Sequence, residues 1–572
     1  LEYSIKIGGE AGQGIQTVGD TLIKVFSKTG YHVFSHQDYE SRVRGGHNFY
    51  QIRISDRPIS VSRKKIDILV AFDKESIFLH EPELTDGGII VYDPAMQKEP
   101  FDGPHFLRVP FVELATQNGS GKVTANTVAI GAVMGMLGLP IEPLFDILKK
   151  TLKKKDEETL RINNNAAHAG YEYAKVNCVH CGFSLTSVSE AKMLIDGNEA
   201  IGLGAVASGC KFYSAYPMTP STGIMISIAE KHKEYGIIVE QAEDEIAAIN
   251  MALGASFAGA RAMTGTSGGG FALMVEGLSL GAMTETPLVI ALAQRPGPAT
   301  GLPTRTEQGD LLFALHAGHG EFQRVIFAPG SPEQAFYLVN KAFDISQKYQ
   351  IPVLILTDQY LADTQWTYGG FDVERLIYRD YRVSGSAMEG LSEYKRHAFT
   401  ESGVSPFAIP GTSKHLVVTD SDEHNEEGHI IENALTRIKM VNKRVFQKHS
   451  ALVDEIEPPL FYGVSEPEIV IVGWGSTYGI MKEAVDALMS ERPVAMLHFS
   501  ELYPFPGIEK YDYLSLLRKA KMTICIEQNA TSQFARLMKT ERGYEFTEHI
   551  NRYDGRPFLL EELLGEVNGS IG

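Results

Sequence analysis

Apolar and polar positions along this chain fall into short alternating blocks, and the clearest series runs from Ile237 to Thr306. Ile237, Ile238 and Val239 form an apolar run that predicts a strand, and Glu243, Asp244 and Glu245 follow at once. Carboxylates suit the first turn of a helix, where the backbone dipole is positive. The Ala-rich segment through Ala255 predicts that helix. A second strand, the glycine loop GTSGGG (Gly265 to Gly270), another helix and the strand Pro287 to Ala293 come next, ahead of a glycine- and proline-rich loop. Strand and helix in alternation are the rhythm of a doubly wound parallel α/β sheet.

The same pattern organises the rest. Residues 1–164 predict a first α/β domain, with a strand at Tyr3 to Ile7, the turn GGEAGQGI and a helix Gln16 to Thr29. That glycine turn either offers backbone N–H groups to an anion or simply packs tightly. Further strands are expected at Tyr31 to Ser35, Tyr50 to Ile54, Ile66 to Phe72 and Gly88 to Tyr92. Gly119 to Gly138 predicts an apolar helix with Lys122 in its first turn, an unfavourable place for a cation. Residues 165–189, polar and interrupted by aromatics, read as a linker. A second α/β domain is expected over 190–365, an irregular connecting region over 366–465, and a third α/β domain over 466–572.

Composition adds bounds. With 572 residues, 44% hydrophobic, the chain can bury several cores. A net charge of -18 argues against non-specific binding to nucleic acid or anionic membranes. No apolar run reaches the 18 residues of a membrane span, and the opening LEYSIKIGGEAGQG lacks the parts of a secretory signal. Four cysteines are too few for a disulfide framework, so a reducing, cytoplasmic setting is expected. The pair Cys178 and Cys181 reads either as two reduced thiols or as half a zinc site with His180 and His168. No metal site is expected on this chain.

Three loops carry candidate chemistry. In SAYPMTPST, Pro217 and Pro220 hold the chain extended, so that the Thr219 hydroxyl either can project at the carboxyl edge of a sheet, where open α/β folds place ligands, or is an ordinary turn residue. The loop GTSGGG must approach something closely, either a flat cofactor ring or a neighbouring helix. Arg295 closes its strand level with Thr219, on what is expected to be an adjacent strand, and a guanidinium fork is the natural partner of a carboxylate.

Glu245 with Gly254 nine residues on, YPMTPST, and AQRPGPATGLPTRTEQGDL together resemble the alpha-type subunit of the 2-oxoacid:ferredoxin oxidoreductases. The 2-oxoglutarate branch, with a gamma domain fused in front, is the closer likeness, and the likeness covers nearly the whole chain. It implies a gamma-type domain, a thiamine diphosphate pyrimidine-binding domain and a transketolase C-terminal-like domain, the last matched by GWGST, ELYPFP and IEQNATSQFARLM. It implies that Glu245 activates the cofactor, with Tyr216, Pro217, Gly268 and Gly269 as cofactor contacts. Thr219 and Arg295 would hold the 2-oxoacid, and Lys122 its distal carboxylate. Arg42, Arg44 and the Gly45-Gly46 pair match a loop of the gamma domain that faces the active-site region; a solvated basic loop reads as well.

The GDG-then-Asn pattern that binds Mg²⁺ and the thiamine diphosphate group is missing, as is a ferredoxin-type cysteine set. The resemblance assigns both to a beta-type subunit carrying the diphosphate site and a [4Fe–4S] cluster, in a heterodimer or dimer of heterodimers. The implied reaction is CoA-dependent oxidative decarboxylation of a 2-oxoacid, with electrons passed to ferredoxin, or the reverse. Pyruvate or a broad 2-oxoacid range, a transketolase-like thiamine enzyme without redox chemistry, and a non-catalytic CoA- or nucleotide-binding scaffold remain open at this point.

Overall fold

The computed structural model describes residues 1–41, 45–97, 100–119, 121–178, 181–186 and 190–571. Arg42, Arg44 and His180, each weighed above, lie outside the described residues. The chain forms two compact units. The first comprises Leu1–Ile195, Thr364–Gly370 and Phe558–Gly565, and the second the rest.

The first unit is built on β1 (Glu2–Glu10), whose Ile5 and Ile7 are fully buried. It pairs antiparallel with β3 (His47–Ser55) over its whole length and parallel with β4 (Ile66–Ala71). β5 (Leu84–Tyr92) and β6 (Phe106–Arg108) extend the β4 side, and β2 (His32–Asp38) the β3 side. Beyond β2 lie the returning strand Gln365–Tyr368 and then β7 (Met193–Ile195). A central strand is covered on both faces, so β1 is buried through six successive residues instead of alternating.

The segment 165–177, expected as linker, is helix. It belongs to Glu157–Asn177, capped by the Asp156 side chain, and it packs along the helix Ala125–Met136. A Cβ at Gly131 would collide with the Ala167 carbonyl, at Gly135 with that of Tyr171, and at Gly170 with that of Val128. Small residues at these positions let the two backbones meet, and that packing supports a helix whose own hydrophobic periodicity is weak. Lys122 sits in a 3₁₀ turn, Gly121–Thr124, ahead of the α-helix and not in its first turn; it is exposed. The sulfurs of Cys178 and Cys181 are joined as a disulfide, which corrects the expectation of two thiols.

In the second unit, a seven-stranded sheet has the order Glu501–Tyr503, β12 (Val325–Phe327), β13 (Pro352–Asp358), β11 (Leu288–Gln294), β10 (Ala262–Thr266), β8 (Phe212–Ala215), β9 (Ile238–Gln241). All neighbours are parallel except Glu501–Tyr503 against β12. β10 therefore lies between β8 and β11, so Thr219 and Arg295 do not follow adjacent strands. A second, five-stranded sheet of Leu460–Gly463, Val494–Phe499, Ile469–Trp474, Met522–Glu527 and Glu548–Asn551 is parallel but for its first strand. Leu292, Leu354, Trp474, Phe499 and Phe534 share one buried cluster, so the two sheets hold a common core. The fold is α/β and multidomain, with three sheets.

The stretch 366–465 is mostly irregular until a helical run, Ala434–Val441 through Lys448–Val453 with a π-helical turn Asn442–Gln447 inside it. It is pinned through Glu285, which is wholly buried. Glu285 Oε1 lies 2.6 Å from Lys443 Nζ and 3.0 Å from His397 Nδ1, and Oε2 lies 2.5 Å from Lys448 Nζ. The two lysines hold the Glu285 carboxyl well below its ordinary range against the opposing effect of burial. Among the described residues no helix is long and apolar enough to cross a membrane.

Candidate active site

The candidate residues of the second unit converge at the carboxyl ends of β8, β10 and β11. Glu245 opens the helix Glu245–Phe257, but it does not cap it. The N-cap is Asp244, whose side chain accepts the Ala247 N–H at 2.7 Å. Glu245 is thereby released from the usual duty of an acid at a helix start. It is 3% exposed, and its Oε1 has no hydrogen-bond partner among the described residues. A carboxylate oxygen buried in that state is costly unless a donor arrives.

The glycine loop explains where the carboxylate points. β10 ends at Thr266, Ser267 is extended, and the helix Gly268–Met283 begins. A Cβ on Gly270 would strike Thr266 Oγ1 and come within 2.5 Å of Glu245 Oε1. Gly270 must therefore be glycine for Glu245 to lie across the start of this helix. Gly268 is constrained from another side, since its Cβ would fall 2.5 Å from Asp310 Oδ2. Gly269 meets nothing nearer than the Ala299 carbonyl at 3.7 Å, and a Cβ on Gly254 would meet open space, so neither needs to be glycine on steric grounds.

The loop after β8 folds over this helix start. Ser267 Oγ donates to Met218 Sδ at 2.8 Å, bringing the residue before Thr219 onto the glycine loop. Arg295, just past β11, reaches across the end of β10 and donates from Nη1 to the Thr219 carbonyl at 2.8 Å. Arg295 is half-buried and makes no ion pair among the described residues; burial lowers its pKa. A guanidinium in that state is chemically suited to pair with a carboxylate. Tyr216 is exposed and Pro217 half-buried at the start of the same loop.

Arg295 thus touches Thr219, Met218 touches Ser267 and Glu245 lies against Gly270, so these residues gather around one helix start, while Lys122 belongs to the first unit. Residues not anticipated from the sequence are Gly270, Met218 and Asp310. Gly270 was legible inside GTSGGG, but nothing in the sequence marked Met218 or Asp310. Burial pushes the Asp310 carboxyl up to about 6.

Two family models cover most of the chain: pyruvate ferredoxin/flavodoxin oxidoreductase over residues 4–173, and the thiamine-diphosphate-binding part of pyruvate flavodoxin/ferredoxin oxidoreductase over 203–443. The chain is 33% identical over 627 residues to a 2-oxoacid:ferredoxin oxidoreductase subunit alpha of Saccharolobus solfataricus, covering 98% of this chain and 97% of that one. It belongs to the 2-oxoacid:ferredoxin oxidoreductases. Within the family it is 28% identical to the 2-oxoglutarate oxidoreductase subunit KorA of Mycobacterium tuberculosis, over 98% and 90% of the two chains. The solved 2-oxoglutarate:ferredoxin oxidoreductase from Magnetococcus marinus, with 2-oxoglutarate, coenzyme A and succinyl-CoA bound, superposes with a TM-score of 0.91 at 30% identity over 100% of both chains. The oxidoreductase chain described here is thus of the alpha-subunit type, with the region matched to pyruvate ferredoxin/flavodoxin oxidoreductase ahead of the thiamine-diphosphate-binding part.

Proposed function

We propose that this oxidoreductase chain works with a beta-type subunit to interconvert 2-oxoglutarate and CoA with succinyl-CoA, CO₂ and reduced ferredoxin. The observation that carries the site assignment is the buried, unpartnered Oε1 of Glu245 beside Gly270. The arrangement fits the aminopyrimidine ring of thiamine diphosphate, a flat group that offers a ring N–H where the carboxylate waits and has room only where side chains are absent. Bound there, the cofactor supplies the nucleophilic carbon and the electron sink for decarboxylating a 2-oxoacid.

The chain's own residues do the rest. Glu245 holds a proton on the ring nitrogen in a dry pocket, where a charge-assisted hydrogen bond is strong. Arg295 receives the carboxylate next to the keto group, with Thr219 fixed beside it by the Arg295 bond to its carbonyl. The loop from Tyr216 through Met218 closes one side and excludes water. Lys122, exposed in its 3₁₀ turn, reads the distal carboxylate of 2-oxoglutarate. The diphosphate, Mg²⁺ and [4Fe–4S] cluster are the partner subunit's charge, because this sequence has neither the GDG-then-Asn pattern nor the cysteines.

The test is ferredoxin or dye reduction by the complex of this chain with its partner. Reduction should require both 2-oxoglutarate and CoA, and be absent from this chain alone. Full activity of the isolated chain, or none from the complex with any 2-oxoacid, overturns the proposal.

A further inference from the structure

In the five-stranded sheet the chain leaves Ile469–Trp474 for Val494–Phe499 on one side and returns to Met522–Glu527 on the other, so the strand order reverses between the first and last of these. Open α/β sheets hold their ligands at such a point, beyond the carboxyl ends of the strands. Here that place is filled by Gln308, which comes from the loop after β11 of the seven-stranded sheet. Its Nε2 donates to the Trp474 carbonyl at 2.8 Å, and its Oε1 accepts the Gln528 N–H at 3.0 Å. Its backbone N–H donates to the Gln528 carbonyl at 2.6 Å, and its carbonyl accepts from Asn529 Nδ2 at 3.2 Å. Gln308 is fully buried, and its side chain and both backbone groups are spent on the five-stranded sheet.

The loop that Gln308 anchors is a wall of the candidate site. It begins at Arg295, and it lays the Ala299 carbonyl against Gly269 and the Asp310 carboxyl against Gly268. Its backbone is not one the chain adopts unaided. Ala299 has φ 55° and Gly301 φ 55°, and a Cβ on Gly301 would fall 1.7 Å from the Pro296 carbonyl oxygen. A residue other than glycine stays in the left-handed region only where its surroundings over-determine it. Part of that support comes from the five-stranded side. The Thr306 N–H donates to the Gly555 carbonyl at 3.1 Å, and Gln533 accepts the Leu312 N–H at 2.9 Å while donating to the Gly309 carbonyl at 2.7 Å. Gln294, the residue before Arg295, closes the base of the loop by accepting the Asp310 N–H at 2.9 Å.

We propose that Gln308 is a positioning residue: by docking the loop 295–310 into the five-stranded sheet, it holds Arg295 in register with Thr219 for the carboxylate of a 2-oxoacid. The inference rests on the substrate role proposed above for Arg295. It gives the C-terminal sheet a task in the reaction through the loop it holds. Glu245 stands on a different element, the helix capped by Asp244. Slackening the loop therefore loosens the grip on substrate and leaves the cofactor-activating carboxylate where it is. A small misplacement of a substrate-orienting group is costly even when it starts far from the chemistry.

Two measurements on the complex with the partner subunit test this. Gln308→Met keeps the length of the side chain and removes both of its hydrogen bonds. Amide hydrogen exchange read by mass spectrometry should be about 10-fold faster over residues 296–306 in the variant, and unchanged over the helix Glu245–Phe257. Unchanged protection of the loop overturns the proposal. Steady-state kinetics should show KM for 2-oxoglutarate raised about 10-fold, the order of one lost hydrogen bond, with kcat within about threefold of wild type. A loss of stability alone does not produce that split. A fall in kcat with KM unmoved, or no change in either, overturns the proposal. Should Gln308→Met fail to assemble, Gln533→Met frees the same loop at Gly309 and Leu312, and the same two results are expected of it. Wild type that turns over no 2-oxoacid overturns the proposed function and the role of Arg295 with it, whereas the exchange measurement tests the docking of the loop by itself.

Discussion

Arg295 Nη1 donates to the carbonyl of Thr219 at 2.8 Å, joining the loops that leave β11 and β8 across the intervening β10. One guanidinium edge is spent on the protein, and under the proposed function the other meets the substrate carboxylate. Arg295→Lys keeps the charge but forfeits this division of labour. It should lower kcat/KM by about 10- to 100-fold, the loss of one to two charge-assisted hydrogen bonds. The loss should be similar for 2-oxoglutarate and pyruvate, because both carry the proximal carboxylate. A selective loss on one substrate would contradict the assignment.

Lys122 should behave in the opposite way. Lys122→Ala is expected to raise KM for 2-oxoglutarate roughly 10-fold or more, about 1.4 kcal/mol, and to leave pyruvate or 2-oxobutyrate nearly unaffected. Steady-state kinetics on the two substrate classes decide it. An equal penalty on both would return Lys122 to a structural or CoA-binding role.

Much of this site is legible in the sequence. The strand–helix rhythm around Glu245, the acid at a helix start and the GTSGGG loop are local signals, spaced within one βαβ unit. The Arg295–Thr219 bond was legible only as proximity, and its stated basis was wrong. Strand order is set by crossover topology, not by sequence distance, and β10 inserts between the two strands. Asp310 could not be singled out, because a cap-type aspartate ahead of Leu311 reads as a helix start wherever it occurs. The helix through 165–177 was missed because its support is Gly131, Gly135 and Gly170 meeting another backbone, a tertiary effect.

The Glu285 cluster joins residues far apart in the chain, and it predicts a stability effect. Glu285→Gln removes the negative charge that Lys443 and Lys448 share in a fully buried setting. Leaving buried cations unmatched costs about 3–5 kcal/mol. Urea unfolding of the variant should show a loss of that order, and a loss under about 1 kcal/mol would mean the lysines find other partners.

The first unit should be sensitive to acid. Burial, with Lys6 nearby for His36 and His80 nearby for His47, lowers both imidazoles to about 4. Below pH 6.5 the unfolded chain takes up protons that the folded chain refuses, so stability present at pH 7 drains away toward pH 4. The slope for two such groups is at most about 2.7 kcal/mol per pH unit. Urea melts at pH 7, 6 and 5 measure it, and His47→Gln should flatten the fall. A profile unchanged in the variant would show that His47 is not held neutral.

The central claim is that Glu245 activates a bound thiamine ring, and proton exchange at the thiazolium carbon tests it most directly. In the complex with its partner subunit, followed by NMR after quenching in deuterated buffer, wild type should exchange rapidly. Glu245→Gln, which keeps the size but loses the carboxylate, should slow exchange by about 10² or more with the complex still assembled. An exchange rate unchanged in the variant would contradict the account and leave Glu245 a buried residue of the helix start.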